Sequence, residues 1–229
     1  REVIGIDIGE TETEAFWLEF CPGLRSRGLS GVRLAVSDHH QGLKKAIERV
    51  LSCPWQRCTV HFVRNMQGHC RRNERGLVAA ALREIFDAPD PETAKARLGE
   101  ALDRFQGPLP KIAELLEAAE EDPLAFYQFP AEHWPKLRST NPLERVNRQI
   151  GRRTDVVGTF PNNASALRLA GALPIEQNDC HEGRSERPGG LSSPRRTLGA
   201  YQSNRFDARR QSCSISGSIG ARAAPLGAR

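Results

Sequence analysis

The chain has 229 residues, of which 38% are hydrophobic and 27% are charged, a composition typical of globular proteins. No apolar run approaches the roughly 18 residues that a membrane span needs, so no membrane-spanning helix is predicted. The formal charge is +5, but residues 178–229 hold nine Arg and four acidic residues, which leaves residues 1–177 near neutral. Total charge therefore does not by itself indicate nucleic-acid binding.

The first elements of the chain are predicted to alternate between strands and helices. Residues 2–9 alternate Val and Ile with other residues and predict a strand. A capping box, Thr11-x-x-Glu14, then predicts the start of a helix. Residues 31–38 predict a second strand, because their apolar residues fall on one face.

A second helix and a third strand are predicted next. Over residues 39–51 the apolar side chains recur at helical spacing, which predicts an amphipathic helix. These side chains are Leu43, Ala46, Ile47, Val50 and Leu51. Residues 55–63 are a candidate third strand. The order strand–helix–strand–helix–strand indicates the α/β class, with a partly parallel sheet and flanking helices.

The rest of the chain is predicted to be helical and then disordered. Residues 64–137 contain three helical segments separated by Pro and Asp, and another helix runs from Pro142 to about Thr154. After Gln177 the periodicity is lost, and residues 178–229 are rich in Arg, Ser and Gly. Such a tail buries too little apolar surface to order itself, so we expect disorder, with out-of-frame translation as the alternative.

Asp38 has two interpretations. It ends a predicted strand and precedes a helix, and ligands bind open α/β sheets at the carboxyl ends of strands. Asp is also a favoured N-cap residue, so the same position is compatible with helix capping alone. We expect the adjacent His39 and His40 to lie in an exposed loop.

Glu144 also has two interpretations. With Asn141 as N-cap and Pro142 at the first helical position, Glu144 falls where a capping-box carboxylate reaches back to the cap. It also lies off the apolar stripe of its helix, on a polar face that suits phosphate handling. The residues that share this face are Asn147, Arg148 and Gly151.

Cys58-x-x-His61 resembles half of a zinc site, although the spacing to any second half fits no standard finger. The alternative is that Cys58 packs in the core while His61 makes a hydrogen bond. The six cysteines of the chain are expected to be reduced thiols, since nothing indicates a small secreted domain.

Two compact Arg clusters could follow a strand of nucleic acid, because Arg favours bidentate phosphate contact. The alternative for each cluster is a solvated face. The first consists of Arg57, Arg64, Arg71, Arg72 and Arg75. The second consists of Arg145, Arg148, Arg152 and Arg153.

Taken together, the blocks of this sequence resemble the Mutator-type transposases of bacterial insertion sequences. The resemblance spans about residues 1–178, and five blocks in the family's order and spacing make it specific. The blocks are EAFWLEF, RGLSGVRLAVSDHHQGLKKAI, WQRCTVHFVRN, FPAEHWPKLRSTNPLERVNRQIGRRTDVVGTFPN and SALRLAGAL.

The resemblance implies a ribonuclease-H-like fold with a helical insertion before the last catalytic helix. On this basis we expect a partial core at 1–63, an insertion at 64–137, a catalytic-helix segment at 138–177 and a tail at 178–229. Of the family's Asp, Asp, Glu catalytic set, the second Asp matches Asp38 and the Glu matches Glu144. Cys58 and His61 match the family's Cys-x-x-His signature.

The resemblance also implies metal-dependent cleavage and strand transfer of DNA. Asp38 and Glu144 would bind Mg²⁺ or Mn²⁺, and the partners would be insertion-sequence ends and target DNA. The residues expected to contact DNA are Arg64, Arg145, Arg148, Arg152 and Arg153. The full-length protein is expected to be a homo-oligomer in the cytoplasm, associated with the nucleoid and not with a membrane.

Two departures from the family leave open whether this chain is an enzyme. The first catalytic Asp and the amino-terminal DNA-binding region would lie upstream of residue 1. We therefore expect the chain as given to be inactive, since Asp38 and Glu144 alone would bind two Mg²⁺ poorly. The alternatives are a non-catalytic DNA-binding remnant with a possible zinc site, and a degraded reading frame without function.

Overall fold

The computed structural model describes residues 2–9, 11–119, 122–185 and 214–216. The chain divides into two compact units. The first combines Arg1–Trp55 with Thr140–Arg229, and the second is Gln56–Ser139. The residue range of the second unit includes the predicted helical insertion at 64–137. Within the described ranges, no helix is long and apolar enough to cross a membrane.

The first segment of unit 1 alternates short strands with helices, as predicted. Its elements are β1 (Asp7–Gly9), α1 (Glu14–Ser26), β2 (Ala35–Ser37), α2 (Gln41–Ala46), a π-helical turn (Ile47–Leu51) and the start of β3 (Trp55–Arg57). The predicted helix at α1 is confirmed, but its cap is not Thr11. The Thr13 side chain accepts a hydrogen bond from the Phe16 N–H at 3.2 Å and so begins the helix.

Beyond β3, the described secondary-structure elements of unit 2 are all helical. Its elements are α3 (Thr59–Gly68), α4 (Arg75–Phe86), α5 (Pro91–Gln106), α6 (Pro110–Ala119), two 3₁₀ segments (Asp122–Gln128 and Ala131–His133) and α7 (Trp134–Leu137). One buried cluster joins these helices. The predicted strand at 55–63 is therefore wrong beyond Arg57. Phe62 and Met66 are both fully buried at helical spacing, and a short apolar run fits either period.

The chain returns to unit 1 through α8 (Asn141–Val157), α9 (Asn163–Ser185) and β4 (Ser214–Ser216). Ile150 of α8 packs with Ala170 and Leu173 of α9 in a small buried cluster. Helix α9 continues past Gln177, into the segment predicted to be a disordered tail. Residues 186–213 and 217–229 of that segment lie outside the described residues.

The described strands form two separate two-stranded sheets, where a single, partly parallel sheet is predicted. β2 pairs with β3, and the Ala35 N–H donates to the Pro54 carbonyl at 3.0 Å. β1 pairs antiparallel with β4, with Ile8 opposite Ile215. The α/β class is plausible for this arrangement, but the described residues are mostly helical.

The core of unit 1 packs β2, the first two helices and the start of α8 together. Its buried members include Trp17, Phe20, Leu24, Ala35, Leu43, Ile47, Trp55 and Leu143. Gly42 permits the close approach of α2 to α1, because a Cβ at this position would lie 2.8 Å from both the Glu14 Cα and N. Glu14 also forms ion pairs with Lys45 at 3.0 Å and Arg49 at 3.1 Å.

Candidate functional site

Asp38 directly follows β2, and hydrogen bonds hold its backbone in place. Its carbonyl accepts from the Ser37 hydroxyl and from the His40 N–H, each at 2.9 Å. Ser37 Oγ in turn accepts from Trp55 Nε1 at 2.8 Å. The Asp38 side chain is half-buried, and its Oδ1 atom is buried.

His40, not Asp38, caps α2. Its Nδ1 accepts from the Leu43 N–H at 3.1 Å, and its carbonyl accepts from the Lys44 N–H at 3.0 Å. Its backbone has the extended conformation of an N-cap, with φ −126° and ψ 112°. The capping interpretation of Asp38 is therefore wrong. His39 is exposed as expected, whereas His40 is half-buried.

Helix α8 begins one residue earlier than predicted. Thr140 is the N-cap, and its carbonyl accepts from Leu143 and Glu144 N–H groups at 2.8 and 3.1 Å. Asn141 is therefore not the cap, although Pro142 lies in the first turn as predicted. This register places Glu144 one residue too late for a capping box. Its side chain is half-buried, and its Oε1 atom is buried.

The first turn of α8 and the end of β2 belong to the same core. Leu143 lies in one buried cluster with Ala35 of β2 and with Trp55. Asp38 follows that strand directly, and Glu144 follows Leu143 directly. Unit 1 thus brings to one core the two chain segments that carry the predicted catalytic carboxylates.

Asn147 is a buried polar residue where the sequence predicts an exposed one. Only 6% of it is exposed, and its Oδ1 atom is buried. The buried face of α8 runs through Leu143, Asn147, Ile150 and Thr154. The spacing of Asn147 from Leu143 and Ile150, four residues after one and three before the other, is the signal that could have placed it on this face.

The arginines of α8 are all exposed, but they do not all lie on the same face of the helix. At about 100° per residue, Arg145, Arg148 and Arg152 fall within an arc of about 60°, here called the arginine stripe. Arg153 lies on another side of the helix and forms an ion pair with Glu176 of α9 at 3.2 Å.

In unit 2 the structure buries one member of the other predicted Arg cluster, Arg57, and exposes the other four. Arg64 is exposed on α3. Arg57 is only 6% exposed, and its guanidinium lies 4.7 Å from the centre of the Phe62 ring. Arg57 therefore does not belong to a basic surface, because its position on a buried strand lets it stack on an aromatic ring.

Cys58 and His61 lie at the start of α3 and not on a strand. Cys58 is the fully buried N-cap residue, and the half-buried His61 is in the first turn. The Cys58 Sγ and a ring nitrogen of His61 lie within 4.8 Å of each other. They are thus a pair of possible metal ligands within unit 2.

Comparison with known proteins decides the family. The model of the Mutator family of transposases matches residues 1–183. The chain belongs to this family. The Mutator-family match extends past residue 178, where the resemblance noted in the sequence ends, and it agrees with the continuation of α9 to Ser185.

Named relatives of this Mutator-family chain are insertion-sequence transposases. It is 44% identical over 180 residues to the transposase for insertion sequence element IS1081 of Mycobacterium tuberculosis, covering 78% of this chain and 43% of that protein. It is 45% identical over 181 residues to the transposase for insertion sequence element IS406 of Burkholderia multivorans, covering 78% and 47%. It is 34% identical over 182 residues to the transposase for insertion sequence element IS256 in transposon Tn4001 of Staphylococcus aureus, covering 78% and 46%. The chain thus spans less than half the length of these relatives.

Proposed function

We propose that this chain is the catalytic-core segment of an insertion-sequence transposase, with Asp38 and Glu144 as ligands of Mg²⁺ or Mn²⁺. The observation that carries the proposal is the shared core of Ala35, Trp55 and Leu143, because it joins the two segments on which these carboxylates lie. Neither carboxylate is used as the helix cap that its sequence position allows. The family resemblance supports a ribonuclease-H-like fold for the complete domain.

The donor atoms suit a hard divalent cation. Asp38 Oδ1, Glu144 Oε1 and Asn147 Oδ1 are oxygen atoms of carboxylates and an amide, and all three are buried. Mg²⁺ prefers carboxylate oxygens and water, and Mn²⁺ accepts the same ligands. When bound, such ions activate an attacking oxygen and stabilise the leaving oxygen of a phosphodiester. The two carboxylates would hold the ion, and the hydrogen-bonded first turn of α8 would orient Glu144.

The arginine stripe supports DNA as the substrate. Arg145, Arg148 and Arg152 are exposed on the helix that carries Glu144, and guanidinium groups bind phosphate oxygens in bidentate fashion. A Cβ at Gly151 would meet no atom within 4 Å outside its own helix, which leaves room for a nucleic-acid backbone beside the stripe. The proposed substrates are insertion-sequence ends and target DNA, bound in the cytoplasm at the nucleoid by a multimer of the full-length protein.

A Mn²⁺ titration tests the metal site. Replacing an outer partner of a metal ligand typically weakens binding by about tenfold or more, so we expect at least that loss in Asp38→Asn and Glu144→Gln. Asp155→Asn is the matched control, because Asp155 is an exposed carboxylate on α8, the helix that carries Glu144. Equal Mn²⁺ affinity in all three variants and the unaltered chain would rule the site out.

Cleavage is a separate question. The 229 residues match two of the family's three catalytic carboxylates, and we propose that this chain alone does not cut DNA. The assay is nicking of supercoiled DNA with Mg²⁺ or Mn²⁺. Robust nicking that Glu144→Gln abolishes would contradict inactivity and would still support Glu144 as a catalytic residue.

The second candidate function is a non-catalytic DNA-binding protein with zinc at Cys58 and His61. It is favoured by the distance of at most 4.8 Å between their ligand atoms. Metal analysis of the purified protein separates the two functions. Stoichiometric zinc that is lost in Cys58→Ser but retained in Cys70→Ser would favour the second.

A further inference from the structure

The turn between β2 and α2 is built from side chains of three different elements. Trp55 Nε1 donates to Ser37 Oγ at 2.8 Å, and the Ser37 hydroxyl donates to the Asp38 carbonyl at 2.9 Å. The same carbonyl accepts from the His40 N–H at 2.9 Å, and His40 Nδ1 accepts from the Leu43 N–H at 3.1 Å. These bonds fix the backbone on both sides of Asp38 without using its carboxylate in any of them.

His40 caps α2, a role that Asn, Asp, Ser or Thr more often has at the start of a helix. The N–H groups of the first helical turn need acceptors, and a carboxylate next to the helix is a preferred one. Because the His40 imidazole accepts from Leu43, the carboxylate of Asp38 is not needed for capping. The cap of α2 is His40, two residues after Asp38. The start of α2 therefore does not depend on the Asp38 carboxylate.

The packing around His40 holds its ring in the capping position. The ring centres of His40 and fully buried Trp17 are 6.4 Å apart with the rings steeply inclined. Gly42 brings the start of α2 against the Glu14 backbone, where a Cβ would be only 2.8 Å away. The orientation of the imidazole is therefore set by α1 as well as by the turn itself.

We infer that His40 is a positioning residue for Asp38: by capping α2 through Nδ1, it fixes the turn from which the Asp38 side chain would bind the metal ion. This inference rests on the proposed function, since it concerns the same ion. His40 does not bind the ion in this role. What matters is an acceptor at the N-cap position, and the imidazole supplies it.

Two substitutions of His40 show whether the hydrogen-bond acceptor or the imidazole ring itself is needed. His40→Asn keeps a strong N-cap acceptor, whereas His40→Ala removes it. The free energy of one N-cap bond corresponds to roughly a fivefold change in an equilibrium constant. If Mn²⁺ binding depends on the fixed turn, the Mn²⁺ affinity should be about fivefold weaker in His40→Ala. In His40→Asn it should stay within about twofold of that of the unaltered chain. Hydrogen exchange of the Leu43 amide should be faster in His40→Ala only. His39→Ala, at the exposed neighbouring histidine, is the control and should leave both measurements unchanged.

Each result decides the inference. Unchanged Mn²⁺ affinity in His40→Ala despite faster Leu43 exchange would overturn it, as would affinity in His40→Asn as weak as in His40→Ala. If His40→Ala does not fold, His40→Asn decides alone, since a fivefold loss there contradicts capping as the role. If the proposed metal site itself is wrong, Asp38→Asn will bind Mn²⁺ as tightly as the unaltered chain does. That result differs from the His40 outcomes above, and it would contradict the inference about His40 as well.

Discussion

At the scale of single residues, buried polar side chains fix backbone segments that are far apart in sequence. Gln56 is fully buried, and its amide donates to the Pro123 carbonyl at 2.8 Å. Its side-chain oxygen accepts from the Phe126 N–H at 2.8 Å. A buried amide costs free energy unless it is paired, so these bonds make Gln56 a specific link between β3 and the 3₁₀ segment Asp122–Gln128.

Two buried thiols of unit 1 predict a loss of stability in alkali. Burial, and secondarily the neighbouring Cys53, raises the pKa of Cys21 to about 12, and burial raises the pKa of Cys53 to about 11. The ordinary pKa of a thiol is near 9, so above this pH the unfolded chain loses protons that the folded chain keeps. The free energy of unfolding should therefore fall between pH 9 and 11, by at most about 1.4 kcal/mol for each thiol per pH unit.

Denaturant titrations at pH 8 and pH 10 measure this effect. The Cys21→Ala, Cys53→Ala double variant is the comparison, because other groups also titrate in this range. The variant will be less stable at pH 8, but its further loss at pH 10 should be smaller than that of the unaltered chain. Equal losses in the two proteins would show that these thiols do not carry the pH dependence.

At the scale of elements, α8 combines three surfaces on one helix. One face packs Leu143 and Ile150 in the core, the arginine stripe is exposed, and Arg153 pairs with Glu176 of α9. Glu144 lies between the buried face and the stripe. A carboxylate on a helix is held more precisely than one on a loop.

The stripe predicts how DNA binding responds to salt. Replacing one phosphate-contacting residue should reduce the slope of log K against log salt by about 1. We expect this reduction in Arg148→Gln and in Arg152→Gln, measured by fluorescence anisotropy with duplex DNA at several salt concentrations. Arg83→Gln on α4 is the matched control, because Arg83 is an exposed arginine of unit 2. The same reduction in all three variants would indicate non-specific attraction and not a defined contact.

At the scale of the whole molecule, unit 1 joins the beginning of the described chain to helix α9. The Asn178 side chain accepts from the Val3 N–H and donates to the Val3 carbonyl, both at 2.9 Å. One amide thus satisfies both backbone groups of a half-buried residue near the amino terminus. The compact part of the chain therefore extends at least to Asn178, beyond the boundary predicted at Gln177.

Truncation tests this boundary. A chain that ends at residue 177 should be less stable than one that ends at residue 185, by about 1–3 kcal/mol, because the half-buried Val3 groups lose their partner. Urea denaturation of the two chains gives the difference. Asn178→Ala in the longer chain should reproduce most of the loss. If both changes leave the midpoint unaltered, the amide does not contribute to folding.

The sequence by itself determined the parts of this protein that depend on local periodicity. The helical segments at α4, α5 and α6 and the Leu143–Ile150 face of α8 follow from apolar residues at helical spacing, which needs no distant partner. The order of the sequence blocks also indicated the Mutator family, and the family comparison confirmed it. Asp38 and Glu144 were candidates from sequence, and their role as metal ligands stays a prediction.

Tertiary structure decided what depends on partners far along the chain. It made Thr59–Gly68 a helix, placed Arg57 over Phe62, and gave the cap of α2 to His40 in place of Asp38. Asn147 and Asn178 acquired structural positions in the same way. Short apolar runs and small polar residues fit several local structures nearly equally well, so packing and long-range hydrogen bonds select among them.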